Sequence, residues 1–249
     1  MRIISTLQDW REIKNSLNAS TLGFIPTMGN LHEGHLNLCQ QSKSQNDVTV
    51  VSIFVNPTQF NQKNDLDNYP RTLDRDEAHL REVGVDYLIL PEPNEVYADN
   101  YEIQVNETIL SQEFEGEHRP GHFTGMLTVV LKLLNWVQPN KAYFGEKDFQ
   151  QLLLVKKMVQ SLFLPIEVVA CETVREADGL AMSSRNSRLN PTERELAPHF
   201  YHWLKSAESC DKVKTELEKL GFKVDYIVEK WNRRLGAVRL GDIRLIDNV

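Results

Sequence analysis

Short apolar or β-branched runs alternate with longer amphipathic ones along this chain. Leu22–Pro26, Val48–Val55, Tyr87–Leu90, Ala142–Phe144 and Ile166–Cys171 read as strands. Helical patterns lie between them, at His35–Lys43, Leu73–Val83, Thr124–Asn135 and Phe149–Leu162. Strands that alternate with helices predict βαβ units and a parallel sheet, an α/β, Rossmann-like arrangement. The second run, VTVVSIFVNP, is almost continuously apolar, as a strand covered on both faces must be. In such sheets ligands bind at the carboxyl ends of the strands. Three unusual stretches stand at those ends: PTMGNLHEGHL (26–36), VNPTQF (55–60) and FGEKDFQQ (144–151).

After Cys171 the texture changes. The segment READGLAMSSRNSRL is polar, with Ser183, Ser184, Arg185 and Arg188 close together. Thr192–Ser206 reads as a helix, and Gly221 caps a second one after CDKVKTELEKL. Val224–Ile227 and Ala237–Ile246 read as short strands. These patterns predict a main domain over residues 1–173 and a small α+β domain over residues 174–249.

Composition narrows the function classes. The chain has 249 residues, 41% hydrophobic and 25% charged, an ordinary globular balance. Its apolar runs fall short of the ~18 residues of a membrane span, and its N-terminus lacks a signal-peptide core. Cys39, Cys171 and Cys210 are widely spaced, which suggests neither a disulfide framework nor a zinc ribbon and fits a reducing cytoplasm. A net charge of −7 argues against a nucleic-acid partner and leaves room for a small anionic substrate.

Candidate chemistry concentrates at the strand ends. His32 and His35 lie three apart, so on a helix they share a face. They read as surface histidines at a capped helix start, as a metal pair with Glu33 or Cys39 near, or as donors at an anion-binding helix N-terminus. Gly29 and Gly34 would let a phosphate chain or an adenine approach the backbone. Gly145-Glu146-Lys147-Asp148 alone reads as a charged turn, Gln59 and Gln151 as solvated amides, and Met182-Ser183-Ser184-Arg185 as a linker. Asp74 and Asp76 read either as Mg²⁺ organisers or as helix N-terminal charges. Gly116–Phe123 reads as a flexible loop. Neither a Walker A motif nor a G-x-G-x-x-G occurs.

His32-Glu33-Gly34-His35 resembles the His-x-Gly-His signature of a nucleotidyltransferase superfamily. PTMGNLHEGHL, SIFVNPTQF, YPRTLDRD, RPGHFTGMLTVVLKLLNWVQP, YFGEKDFQQL and VREADGLAMSSRNSRL together resemble the pantothenate synthetase family, in its order and spacing. The resemblance runs to RLGDIRLIDN at the C-terminus, with a shorter, less similar part between about Asn190 and Gly236.

The resemblance implies an ATP-dependent ligase. It would join pantoate to β-alanine through pantoyl adenylate and release AMP and pyrophosphate, with Mg²⁺. It implies catalytic roles for His32, His35 and Lys147. It places ATP at Met28, Gly29, Asn30, Leu31, His32, Glu33, Gly34 and His35. It also places ATP at Gly145, Glu146, Lys147, Asp148, Val174, Met182, Ser183, Ser184 and Arg185. Pantoate falls to Pro26, Asn56, Gln59 and Gln151. It implies a cytoplasmic homodimer with a C-terminal lid. Another adenylyl transferase and a non-catalytic metabolite-binding paralogue are the competing readings.

Overall fold

The computed structural model describes residues 1–17 and 20–249. The chain forms two compact units. The first comprises Met1–Leu31, His35–Gly145 and Gln150–Cys171; the second comprises His32–Gly34, Glu146–Phe149 and Glu172–Val249.

In the first unit, strands β1 (Arg2–Ile4), β2 (Leu22–Thr27), β3 (Val48–Ile53), β4 (Tyr87–Ile89), β5 (Lys141–Gly145) and β6 (Glu167–Cys171) form one sheet in the order β1-β4-β3-β2-β5-β6. Every pairing is parallel. The order reverses at β2, which lies between β3 and β5, so the topological switch point, where ligands of open parallel sheets bind at the carboxyl ends, falls at β2 and β5. Val50 and Val51 on opposite faces of β3 are both fully buried, which explains its unbroken apolar run.

Helices α1 (Leu7–Ser16), α2 (Glu33–Gln45), α3 (Lys63–Asp67), α4 (Leu73–Val83), α5 (Pro93–Val96), α6 (Glu115–His118), α7 (His122–Val137) and α8 (Phe149–Ser161) connect the strands. In α4, Asp74 and Asp76 in the first turn and Arg81 in the last complement the helix dipole. Gly84 then ends α4 in a left-handed conformation (φ 80°). Helix α7 is buried nearly all round, including Met126, Leu127, Leu134 and Val137.

Sequence patterning overlooks β1 and α1. β1 is three residues long and gains its strand character from pairing with β4. Helix α1 is capped by Thr6, whose hydroxyl accepts from the Asp9 amide, and it buries Trp10 and Ile13. The Trp10 indole donates to Val137 O at 3.3 Å.

The second unit holds α9 (Pro191–Leu196), α10 (Pro198–Leu204), α11 (Cys210–Lys219) and an antiparallel sheet of β7 (Lys223–Lys230), β8 (Arg233–Leu240) and β9 (Ile243–Asn248). Phe200, Leu204, Val213, Leu217 and Val238 fill its core. Two expectations are corrected here. The helix expected over Thr192–Ser206 is two, because Pro198 supplies no amide donor and restarts the helix. The strand expected over Ala237–Ile246 is two, divided by a turn at Gly241 (φ 52°). Trp231 and Asn232, at φ 55° and 56°, make the tight hairpin turn between β7 and β8. Among the described residues no helix is long and apolar enough to cross a membrane.

Candidate active site

In the first unit the chain leaves β2 through Met28-Gly29-Asn30, where Gly29 and Asn30 are both left-handed (φ 78° and 50°). The Asp76 carboxylate holds this turn. Its Oδ2 accepts from the Asn30 amide and its Oδ1 from the Leu31 amide, each at 2.8 Å. The Thr72 hydroxyl adds a bond to Oδ1 at 3.1 Å. A Cβ at residue 29 would stand 3.1 Å from Asp76 Oδ2, so this glycine answers to the carboxylate as well as to its own φ. Both Asp76 oxygens are thus engaged by protein donors, and Asp74 is exposed. Beyond the two readings of this pair, the structure gives Asp76 a third role, holding the backbone of the β2 turn.

Beyond β3, Pro57–Gln59 form one 3₁₀ turn after Asn56. Asn56 is buried and its side chain is saturated. Its Nδ2 donates to Gln59 Oε1 (3.0 Å) and Gly125 O (3.2 Å). Its Oδ1 accepts from the Tyr97 phenol (2.6 Å) and the Thr58 hydroxyl (3.0 Å). Burial pushes the Tyr97 phenol up to about 12, so it stays a donor through the physiological range. Gln59 is 7% exposed, yet its Nε2 donates to the Met28 thioether at 3.1 Å, a weak acceptor.

The segment expected as a flexible loop, 116–123, is instead part of α6, a turn and the start of α7. His122 is buried there. Its Nδ1 lies 2.9 Å from Gln59 O, which can only accept, so the proton sits on Nδ1. Its Nε2 then accepts from the Arg119 guanidinium at 3.1 Å. Arg119 in turn lies 3.8 Å from Glu115. Sequence reasoning misses Asp76 as a backbone brace, and Tyr97, Arg119 and His122 altogether. The RPGH segment was a signal for the last two, since it pairs a cation and an imidazole beside a helix start.

Gln151 is half-buried, on α8. Its neighbour Gln150 is the buried amide, accepting from Glu115 N (3.1 Å) and donating to Leu110 O and Glu113 O (2.8 Å each). Met28, Asn56 and Gln59 are brought together, Pro26 lies within β2, and His35 lies in α2.

In the second unit, the Gly34 amide donates to His32 Nδ1 at 3.1 Å. The neutral ring therefore carries its proton on Nε2. A Cβ at residue 34 would stand 2.9 Å from that ring. Glu146, Lys147 and Asp148 form one 3₁₀ turn, with Lys147 Nζ 3.6 Å from Asp148 Oδ2.

Val174 and Met182 are joined by a bond from the Met182 amide to Val174 O at 3.0 Å. Ser183 Oγ accepts from the Arg185 amide at 3.2 Å. Asn186 ties the segment down, donating to Glu176 Oε1 (2.9 Å) and Ala181 O (3.1 Å). The Arg194 guanidinium spans Glu176 (2.5 Å) and Asp178 (2.6 Å). Burial raises the Asp178 carboxyl, but Arg194 outweighs it and holds the group below its usual range. Among the described residues no cluster of three His, Cys, Asp or Glu side chains has metal-ligating geometry.

The family model described as pantoate-beta-alanine ligase matches residues 2–249. A pantothenate synthetase of Legionella pneumophila (strain Lens) is 53% identical over 249 residues, covering 100% of this chain and 99% of that one. One from Coxiella burnetii (strain Dugway 5J108-111) is 50% identical, with 100% and 96% covered. The crystal structure of a pantoate-beta-alanine ligase from Francisella tularensis, complexed with beta-gamma ATP and beta-alanine, superposes with a TM-score of 0.96. It is 41% identical and covers 100% of this chain and 97% of that one. The chain therefore belongs to the pantoate–β-alanine ligase family, and it is a ligase of pantothenate biosynthesis.

Proposed function

We propose that the protein condenses (R)-pantoate with β-alanine by way of pantoyl adenylate. A pantoate carboxylate oxygen attacks the α-phosphorus of MgATP and pyrophosphate leaves. The β-alanine amine then attacks the acyl carbon, and AMP leaves with the original carboxylate oxygen on its phosphorus. The relative bound to beta-gamma ATP and beta-alanine supports two of the three substrates.

The observation that carries the reading is Gln59. A buried amide N–H set against a thioether is poorly satisfied, so a substrate oxygen in that place would gain a full hydrogen bond. Gln59, Gln151, Asn56 and Pro26 are the pantoate group in this proposal. Neutral amides orient pantoate without drawing electron density from its carboxylate, as an arginine would.

The His32 Nε2–H, with His35, stabilises charge that develops on the phosphorus. Lys147 holds the triphosphate, with Gly145, Glu146 and Asp148 shaping its turn. The Ser183 and Ser184 hydroxyls and the Arg185 fork bind phosphate oxygens beside Met182, and Val174 lies against the adenine. Residues Met28 to Gly34 complete the nucleotide group. Mg²⁺ enters on the triphosphate, which suits an ion that keeps waters and substrate phosphates as ligands. The family reading makes the enzyme a cytoplasmic homodimer.

The test is partial exchange. ATP, Mg²⁺ and pantoate without β-alanine should exchange labelled pyrophosphate into ATP. Pantoate labelled with ¹⁸O in its carboxylate should pass one labelled oxygen to AMP once β-alanine is added. ADP as product, or unlabelled AMP, would overturn the adenylate route. A stable adenylated product would favour another adenylyl transferase instead.

A further inference from the structure

Outside the residues assigned above, a buried amide side chain of the second unit is fully engaged at the end of β9. Asn248 is 3% exposed, and every polar atom it carries has a partner. Its Nδ2 donates to two successive carbonyls, Glu146 O at 2.8 Å and Lys147 O at 3.0 Å. Its Oδ1 accepts from Arg233 Nη1 at 2.8 Å. Its amide donates to Asp247 Oδ1 (2.8 Å), and its carbonyl accepts from Arg175 (3.2 Å).

Arg233 closes the ring. Its second nitrogen bonds the Glu146 carboxylate at 2.8 Å, and its guanidinium lies 4.3 Å from the centre of the Phe149 ring. The first two residues of the turn that carries Lys147 are therefore gripped, through their two carbonyls and the Glu146 carboxylate. The grip comes from the last residue of β9 and the first of β8.

Geometry explains why an asparagine is needed. A carbonyl can only accept, so the clamp requires an N–H₂ group reaching two of them at once. The other end must accept from a guanidinium. A primary amide supplies both, whereas the isosteric carboxylate of aspartate accepts at both ends and would repel the two carbonyls. The turn itself has three residues, too few to hold its own shape by internal bonds.

We propose that Asn248, braced by Arg233, is a positioning residue for Lys147. It fixes the backbone from which the ammonium is aimed at the triphosphate. This rests on the reading of Lys147 as the triphosphate holder, and the test separates the two. Displacing a catalytic group by about 1 Å can cost on the order of 100-fold in rate.

The variants are Asn248→Asp, which keeps the Arg233 bond and loses both donors, and Asn248→Ser, which is too short for either carbonyl. Asn248→Gln keeps the amide on a longer stem. Each is measured in two half-reactions, pyrophosphate exchange with ATP and pantoate, and β-alanine attack on synthetic pantoyl adenylate. Each is repeated in a Lys147→Ala background.

The expected result for Asn248→Asp and Asn248→Ser is a loss of about 10- to 100-fold in exchange kcat/KM for ATP. The second half-reaction and the KM for pantoate should stay within about two-fold, with partial recovery in Asn248→Gln. On Lys147→Ala the Asn248 changes should add little further loss, because residues acting through one another are not additive. Equal damage to both half-reactions, or full additivity with Lys147→Ala, would overturn the proposal. Loss of cooperative folding in both short variants would assign Asn248 to stability and overturn it as well. If Lys147→Ala itself leaves exchange intact, the Lys147 reading fails first and takes this inference with it.

Discussion

Gly125 offers a sharp test of how the Gln59 turn is held. It lies in α7 with helical backbone, so an alanine there should gain about 1 kcal/mol of helix propensity. Space forbids it. A Cβ at residue 125 would stand 2.3 Å from Thr58 O, 2.5 Å from Thr58 C and 2.7 Å from Gln59 N. Ordinary contact begins at 3.4 Å, so the closest approach is 1.1 Å too short. The obstacle is backbone, which no rotamer change can clear, and the helix behind it is packed into the core through Met126 and Leu127.

The 57–59 turn must therefore move, and with it the Asn56 bond to Gly125 O and the His122 bond to Gln59 O. Overpacking of this kind costs ~1–3 kcal/mol, so the net loss of stability in Gly125→Ala is roughly 0–2 kcal/mol. At ~2–4 °C per kcal/mol for a chain of this length, Tm should fall by no more than about 8 °C. The kinetic effect should be larger. A displacement near 1 Å at the amides proposed to hold pantoate should lower kcat/KM for pantoate by on the order of 100-fold, with the KM for ATP little moved. Initial rates against pantoate and a thermal melt decide it. A variant with wild-type pantoate dependence would mean that Gln59 is positioned by something other than its contact with α7.

Two further outcomes follow from the same unit. Asp76→Asn replaces an acceptor-only group that serves two amides, so one of Asn30 N or Leu31 N loses its bond; the cost should be ~1–3 kcal/mol in denaturant unfolding, and an unchanged midpoint would remove Asp76 as the brace of the β2 turn. Tyr97 should ionise only at about pH 12, and Tyr143, also raised by burial, should be late too; in Tyr97→Phe the seven-tyrosine absorbance titration should lose its Tyr97 step and keep that of Tyr143. Because the folded pKa of Tyr97 lies above its ordinary value of 10.0, its contribution is fully present below pH 10 and is lost as pH climbs toward 12. An alkaline unfolding curve that is identical in wild type and variant would contradict that burial.

The sequence showed most plainly those elements whose signal is local. Leu73–Val83 was legible to the residue, because Thr72, the acidic first turn and Gly84 mark its ends. β3 was legible because burial on both faces leaves a continuous apolar run. Features set by a distant partner were not legible. β1 needs β4, some 85 positions on, before its three residues mean anything. Asp76 carries the marks of a helix N-terminal charge, and only the fold brings it to amides 45 and 46 positions earlier. The family resemblance named the candidate residues but gave no role to the groups behind them, such as His122 behind Gln59 or Asn248 behind Lys147, though both lie in matching segments.

Those holding groups differ in kind between the two units, and the difference follows from what each must permit. The groups bonded directly to Gln59 and Asn56 are neutral: Thr58, Tyr97 and the His122 imidazole, whose other nitrogen meets Arg119. A neutral network contributes little net stability over apolar packing, so its presence argues for a defined arrangement of donors and acceptors. In the second unit the framework is ionic: Arg175 grips Asp247 through two bonds at 2.6 and 2.9 Å, Arg194 spans two acids, and Arg233 joins Glu146. Each of these guanidinium groups already has a carboxylate partner, so they act as rivets. Of the cations proposed above for the polyphosphate, Lys147 is the ammonium, and its Nζ stands 3.6 Å from Asp148, beyond hydrogen-bond contact. An ammonium held that loosely by its neighbour can follow phosphate oxygens as charge moves among them, provided its backbone stays where Asn248 keeps it.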